Sequence, residues 1–166
     1  MRPAELRALQ APLKERYRED PDAALVTLTA TGTLDDEIAC NVQTGRALAT
    51  AGLHPATGGD GALLCSGDML LEALVACAGV TLRAVATALE IEVRSGTVTA
   101  SGELDFRGTL GVDKTAPVGF ANIDLRFDLD APNATDEQRA TLLTLTERYC
   151  VVLQTLRSSP PVAASL

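Results

Sequence analysis

The stretch Asp68–Leu89, which reads DMLLEALVACAGVTLRAVATAL, decides the fold of this chain. Apolar residues occupy nearly every face of it at helical spacing, and a helix of that kind is buried in a core or an interface. Ser66 or Asp68 is expected to cap its start. At about 1.5 Å per residue the helix is roughly 33 Å long, more than one small domain can cover on all sides. The stretch therefore predicts a homodimer in which two such helices pack together.

The residues before this helix predict a charged extension, two strands and a loop. Residues 1–20 are polar and charged, and 4–19 are expected to form an amphipathic helix. Alternation and β-branched residues predict strands over 23–31 and 38–42. Six glycine or proline residues between 51 and 67 predict a loop.

The residues directly after the helix predict antiparallel strands. Small, β-branched and polar residues alternate over 91–105 with glycine at two positions, which predicts a hairpin. A polar loop is expected over 107–117. Apolar residues then alternate cleanly over 118–129, as in a strand with one face in water.

A second helix is predicted near the C-terminus. Thr135 and Gln138 form a capping box, so a helix is expected from Asp136 to about Tyr149. The proline-containing tail is expected to add a short extended edge. The order of elements predicts a single α+β domain over 1–166, an antiparallel sheet packed on a long buried central helix, and an intertwined homodimer as the assembly.

The bulk charge bears on partners and compartment. The net charge is −8 and the sequence pI is about 4.6, so nucleic acid and anionic membranes are repelled. The N-terminal residues lack the apolar core of a secretory signal, and charged residues at 68, 72 and 83 interrupt the long apolar stretch. We therefore expect a cytoplasmic protein with neither nucleic acid nor a membrane as a partner.

The four cysteines and one histidine limit the chemistry. The cysteines contain no C-x-x-C pair, and His54 is the single histidine, so we expect no metal and no cofactor. One histidine also disfavours a Cys–His hydrolase. In a reducing compartment such cysteines are free, catalytic or redox-active rather than a disulfide framework.

The positions of the cysteines suggest different roles. Cys77 lies mid-helix among alanine and glycine neighbours that leave space around its sulfur, although a free cysteine there also suits a core. Cys150 ends the second predicted helix, where the dipole raises the pKa of a thiol, which suits a resolving thiol or again a core position. Cys40 is expected in the core. Cys65 is interpreted as an ordinary small residue or an alternative resolving thiol across a dimer.

Two segments resemble the OsmC/Ohr family. The stretch SGDMLLEALVACAGVTLRAVA (Ser66–Ala86) is similar to the family's signature helix, and ERYCVVLQTL (Glu147–Leu156) to its second-cysteine motif. The loop GGDG (Gly58–Gly61) also fits. The resemblance implies a homodimeric α+β protein that reduces peroxides, with Cys77 as the peroxidatic and Cys150 as the resolving cysteine.

The resemblance also directs attention to charged partners of the thiol. Related proteins carry an arginine in the early strands and a proline after the second cysteine, whereas this chain has no arginine in 29–36 and has Val151. A buried thiolate needs an offsetting cation, and the candidates are Arg46, Arg83 and Arg148. Arg46 is preferred here, with a solvated turn residue as the competing interpretation.

An acidic partner is sought for the same reason. Glu72 lies five residues before Cys77, so the two cannot meet within one helix, but across a dimer axis Glu72 could orient the arginine or the peroxide. The competing interpretation is a helix surface charge. Asp68 is interpreted as an N-cap and His54 as a loop residue without a role.

These features predict a thiol-dependent peroxidase. Cys77 would attack an organic hydroperoxide, Cys150 would resolve the sulfenic acid, and an external dithiol would reset the pair. The alternative is a non-enzymatic OsmC-like dimer that binds a small apolar ligand or senses oxidation.

Overall fold

The structure is a computed structural model that describes residues 2–5, 8, 11, 19, 31–34, 39–44, 47–111 and 113–166. Its helices and strands confirm the predicted α+β class. Contacts divide the chain into two compact units. One contains Ala73–Thr99 and Arg126–Leu166, and the other contains Thr27–Glu72 and Ala100–Leu125. Of the predicted helix over 4–19, the described residues are helical, and the strand predicted over 23–31 lies outside the described residues except at Thr31.

Four strands form the first sheet in the order β1-β2-β3-β4. They are β1 (Thr31–Leu34), β2 (Ala39–Thr44), β3 (Ala47–Gly52) and β4 (Leu64–Cys65). The first three are antiparallel, with Leu34 opposite Cys40, whereas β3 and β4 are parallel. The loop predicted over 51–67 is therefore wrong at both ends, because ladder pairing across the sheet overrides the weak local signal of glycine. A 3₁₀ turn, Pro55–Thr57, interrupts what remains.

The signature stretch forms one helix, α1 (Ser66–Ala88). Because the helix already begins at Ser66, the prediction of Asp68 as its N-cap is wrong, and Asp68 lies inside the first turn, at the positive end of the helix dipole. The helix is long and apolar enough to span a membrane by length and composition, a test that the core helix of a soluble protein also passes.

Burial of α1 is one-sided. The buried residues follow a helical stripe: Leu74, Ala78, Leu82, Val85 and Ala86. Outside that stripe Leu70 is 38% and Val80 is 72% exposed. This agrees with the expectation that a single chain cannot cover the helix on all sides, and its packing against a second copy stays a prediction.

Two long strands form the second sheet, β5 (Ser95–Leu104) and β6 (Phe120–Asp130). The predicted alternation of β6 is confirmed, since its less exposed residues alternate with exposed ones: Ile123, Leu125, Phe127 and Leu129. The hairpin predicted over 91–105 is wrong. Those residues contribute one continuous strand, and its partner is β6.

The two glycines that suggested a turn mark close backbone approach instead. A Cβ on Gly96 would lie 2.7 Å from Leu129 Cδ2 and 2.8 Å from the carbonyl oxygen of Asp128. A Cβ on Gly102 would lie 2.6 Å from Phe120 Cδ1. Glycine is required at these positions because β6 leaves no room for a side chain.

Three further helices follow α1 in the described part of the chain: α2 (Phe106–Thr109), α3 (Asp136–Tyr149) and α4 (Val151–Arg157). The capping box of α3 is confirmed, because Thr135 Oγ1 accepts from Gln138 N at 3.1 Å and Gln138 Oε1 accepts from Thr135 N at 2.9 Å. The short α2 falls where a loop was predicted. Residues 159–166 form no strand, so the predicted extended edge is wrong.

One apolar core joins α1 to α3 and to the end of β6. Its buried members are Leu82, Val85, Ala86, Ile91, Val93, Ala131 and Leu142, with Phe127, Leu129, Ala134 and Leu145 packed against them. All of them belong to the unit that also holds Cys77 and Cys150. The core therefore fixes the part of α1 and the part of α3 from which the two cysteines project.

Candidate active site: two cysteines at a break between helices

Cys150 is the residue at which α3 stops and α4 starts. Its backbone is extended, with φ −73° and ψ 106°, and it serves as C-cap of the first helix and N-cap of the second. Its N–H donates to the carbonyl of Thr146 at 3.0 Å, and its carbonyl accepts from Gln154 N at 2.9 Å. Its side chain is completely buried. The chain therefore bends at Cys150 while both backbone groups stay paired.

The first turn of α4 lacks an ordinary cap. The first N–H groups of a helix have no partner within it, and Cys150 donates no side-chain cap to them. The sulfur atoms of Cys77 and Cys150 lie near these groups instead. The N–H groups of Val151 and Val152 act to lower the pKa of Cys77, and those of Leu153 and Val152 act in the same direction on Cys150. The amino end of α4 thus becomes a cradle for a thiol pair.

Cys77 projects from the middle of α1 towards this cradle. Burial acts to raise the pKa of Cys77, but hydrogen bonds outweigh it and hold the pKa below its ordinary value. The donors, in order of effect, are the N–H of Val152, the thiol of Cys150, the N–H of Val151 and the hydroxyl of Thr81. Cys77 is therefore the better thiolate of the pair.

Cys150 shows the opposite behaviour. Its burial raises the pKa of its thiol, and the neighbouring Cys77 raises it further, while hydrogen bonds from Leu153 and Val152 offset part of the effect. The sequence argument expected a raised pKa from the carboxyl end of α3; Cys150 does cap that end, the direction agrees, and burial is the largest cause. The opposite pKa shifts favour the thiolate at Cys77 and the neutral thiol at Cys150.

Thr146 lies one helical turn before Cys150 and is 1% exposed. Its hydroxyl is the only buried side-chain donor or acceptor without a hydrogen-bond partner in the described part of the chain. Leaving such a group unpaired costs about 1–3 kcal/mol. An unpaired buried hydroxyl so close to a candidate reactive thiol needs a physical explanation.

The candidate cations are placed differently from expectation. Arg46 lies outside the described residues. Arg83 donates from Nη1 to the carbonyl of Val93, and the Arg148 guanidinium lies 5.5 Å from the centroid of the Tyr149 ring. The groups that lower the pKa of Cys77 are the backbone N–H donors, the Cys150 thiol and the Thr81 hydroxyl.

The remaining candidates lie apart from this pair. Glu72 is exposed on α1, five residues before Cys77. Cys65 is a free thiol in β4, and Cys40 falls in β2 as its strand prediction required. The imidazole of His54 accepts from Ala56 N at 3.0 Å and stacks on Phe106 at 5.0 Å, which is a structural role.

The sequence argument overlooked the donors that matter most to Cys77. Thr81 lies inside the stretch that resembles the family's signature helix, and its i+4 spacing from Cys77 already places both side chains on one helix face. The N–H groups of Val151 and Val152 leave no sequence signal except the break in helix periodicity at Cys150. Valine rather than proline at 151 is what keeps the first of these donors.

No metal centre is evident in the ranges that the structure describes. No group of three or more histidine, cysteine, aspartate or glutamate side chains is arranged there to hold an ion. The chemistry available at this site is that of the thiol pair and its hydrogen-bond donors.

The OsmC-like protein family model matches residues 59–165, which include both cysteines and most of the described chain. The chain belongs to the OsmC-like family. No curated protein matches it significantly. The match covers α1, both strands of the second sheet and the break at Cys150, so the family assignment rests on the segments that build the site.

Solved structures of OsmC-like proteins share this fold. An OsmC-like protein from Mycoplasma pneumoniae is 18% identical with a TM-score of 0.66, covering 81% of this chain and 89% of that one. An organic hydroperoxide resistance protein OsmC from Legionella pneumophila is 17% identical, with a TM-score of 0.62 and coverage of 81% and 92%. An organic hydroperoxide resistance protein from Elizabethkingia anophelis is 18% identical, with a TM-score of 0.61 and coverage of 82% and 91%. Likeness at these identities concerns the fold.

Proposed function

We propose that this OsmC-like protein reduces organic hydroperoxides with Cys77 as the attacking and Cys150 as the resolving thiol. The observation that carries the proposal is the contact between two thiols whose pKa values shift in opposite directions. A low pKa gives Cys77 the thiolate that attacks an O–O bond. A neutral thiol held beside it is available to trap the product of that attack.

The cycle balances in three steps. The Cys77 thiolate attacks the terminal oxygen of the hydroperoxide, the O–O bond breaks, and the alkoxide takes a proton and leaves as an alcohol. Cys150 then attacks the Cys77 sulfenic acid, so that an S–S bond forms and water leaves. An external dithiol reduces the disulfide, is itself oxidised, and returns both thiols.

The surroundings of the pair favour an organic substrate. An open groove of about 460 Å³ next to the break at Cys150 has a mixed lining, Arg148, Tyr149, Val151, Gln154, Thr155, Ser158 and Pro160. Its apolar members, Tyr149, Val151 and Pro160, could contact the hydrocarbon part of a hydroperoxide. The names of the Legionella and Elizabethkingia proteins, which concern organic hydroperoxide resistance, support the same class of substrate.

We place this chemistry in a homodimer in the cytoplasm. Leu70, Ala73 and Val80 form an exposed apolar part of α1, which a second copy of the helix would cover. Glu72 borders this part, and with Arg46 it remains the candidate for charge supplied across the dimer. Light scattering should give about twice the chain mass of 17.3 kDa, and a clean monomer contradicts this assembly. Cytoplasmic thiol systems would supply the reducing dithiol.

The decisive experiment combines peptide mapping with turnover. Stoichiometric organic hydroperoxide should cross-link the tryptic peptide that carries Cys77 to Tyr149–Arg157 in a Cys65→Ser background, because Cys65 otherwise shares the first peptide. Consumption of excess hydroperoxide with a dithiol present should require Cys77 and disappear in Cys77→Ser. If a cross-link joins Cys65 to Cys77 in the unmodified chain and Cys150 stays free, the resolving role of Cys150 is wrong.

A redox sensor without efficient turnover is the second candidate. It is favoured by the positions of the two described candidate cations, because Arg83 donates to the Val93 carbonyl and the Arg148 guanidinium lies over the Tyr149 ring. The same assays separate the two functions. A sensor forms the Cys77–Cys150 disulfide once and consumes little further hydroperoxide when the dithiol is present.

A further inference from the structure

The unpaired hydroxyl of Thr146 is unusual for a helical threonine. Such a hydroxyl commonly donates to the carbonyl four residues earlier, as Thr87 Oγ1 does to Arg83 at 2.8 Å. The hydroxyl of Thr146 makes no such bond and has no other partner within the part of the chain that the structure describes. The hydroxyl is free while both cysteines are thiols. It is therefore available to a neighbouring group that becomes negatively charged at a later step of the cycle.

The position of Thr146 points to Cys150 as the group that could accept a hydrogen bond from its hydroxyl. Thr146 and Cys150 are four residues apart, and the Cys150 N–H still bonds to the Thr146 carbonyl at 3.0 Å, so helical geometry continues to that point. Side chains at this spacing share a face, and a helical side chain leans over the turn before it. The Cα–Cβ bonds of Thr146 and Cys150 therefore leave the same side of the chain at the end of α3.

The charge change at Cys150 belongs to the resolving step. Its thiol is fully buried, and the neighbouring Cys77 raises its pKa in the dithiol state. Once Cys77 is oxidised or blocked, its sulfur no longer stabilises a negative charge, and Cys150 must itself become the thiolate. A buried thiolate needs a donor, and a new one is available in Thr146.

We propose that the Thr146 hydroxyl donates a hydrogen bond to the Cys150 thiolate while the disulfide closes, which makes Thr146 a positioning residue for the resolving step. The inference rests on the proposed two-cysteine cycle. Cys150 loses its proton to solvent, its thiolate attacks the Cys77 sulfur, and the S–O bond of the sulfenic acid breaks. Hydroxide leaves and becomes water by taking up a proton. The disulfide carries no charge and releases the hydroxyl.

Closure can be measured without a peroxide. In a Cys40→Ser, Cys65→Ser background, one equivalent of dithiodipyridine first forms a mixed disulfide at Cys77 and releases one pyridinethione. Attack by the Cys150 thiolate then breaks that mixed disulfide, forms Cys77–Cys150 and releases the second. The two release rates, followed by absorbance across pH, separate the attacking thiol from the resolving thiol.

The expected result is specific to the second release. Thr146→Val, which keeps the shape and removes the hydroxyl, should slow closure about three- to tenfold at neutral pH and move its pH profile upward. Thr146→Ser should restore the rate of the wild type, and the first release should be unchanged in both. If Thr146→Val destabilises the protein, Thr146→Ala compared with Thr146→Ser provides the same contrast.

Two outcomes overturn the inference. Closure in Thr146→Val may match the wild type at every pH, or Thr146→Ser may close as slowly as Thr146→Val, which would make side-chain shape the cause. Failure of the proposed function looks different. In that case hydroperoxide leaves Cys77 unoxidised, while the closure rates with dithiodipyridine still decide the role of Thr146.

Discussion

Replacing Val151 by proline removes one hydrogen-bond donor from the thiol cradle and little else. Val151 is the first residue of α4, where proline fits because its missing N–H has no partner within the helix. The residue before it, Cys150, has φ −73° and ψ 106°, a conformation that a following proline accepts. The N–H that is lost is one of the donors that hold the pKa of Cys77 low, and its effect is smaller than those of the Val152 N–H and the Cys150 thiol.

The size of the effect follows from hydrogen-bond energetics. A hydrogen bond to a charged group contributes about 1.5–3 kcal/mol, and the lower limit suits Cys77, which is partly exposed. That is roughly a tenfold shift of the protonation equilibrium towards the thiol. Each thiolate that remains becomes about threefold more nucleophilic, because thiolate reactivity rises with basicity. The smaller fraction of thiolate and its higher reactivity therefore act in opposite directions on the alkylation rate, and the pH decides which effect is larger.

The assay is alkylation of Cys77 by iodoacetamide across pH in a Cys65→Ser background, read by peptide mass. At pH well below the pKa of Cys77, Val151→Pro should react about threefold more slowly than wild type. At pH well above the pKa of Cys77, where this thiol is fully ionised in the variant and in the wild type, Val151→Pro should react about threefold faster. Val151→Ala, which keeps the N–H, is the matched control and should follow the wild type. Slowing by an equal factor at all pH values, or an unchanged profile, would refute the role of this donor.

Other residues allow similar tests. Thr81→Val should shift the alkylation profile in the same sense as Val151→Pro, whereas Thr81→Ser should not. Gly96→Ala should lower the free energy of unfolding in urea by about 1–3 kcal/mol, because its Cβ would meet Leu129 at 2.7 Å. Gly79→Ala, whose Cβ would lie 3.8 Å from Val98, should instead raise it by about 0.5–1 kcal/mol. Thr135→Ala should cost about 1 kcal/mol through loss of the capping box, and Thr135→Ser should not; equal melting temperatures for the pair would contradict this.

Local signals in the sequence were sufficient for the helices that carry the cysteines and for one strand. The apolar run of α1, the capping box of α3 and the alternation of β6 each depend on contacts within a few residues. Such contacts are set by side-chain spacing along the chain, so they can be predicted from it. The presence of Cys77 and Cys150 in two family-like motifs was visible for the same reason.

The tertiary structure decided which groups meet. Gly96 was interpreted as a turn because nothing in the sequence reveals that β6 passes within 2.8 Å of its Cβ direction. An arginine was sought for Cys77, whereas the donors include backbone N–H groups of Val151 and Val152. Backbone groups are the same in every residue except proline, so their use leaves no mark in the sequence. Only the packing of α1 against the break at Cys150 turns them into a thiol site.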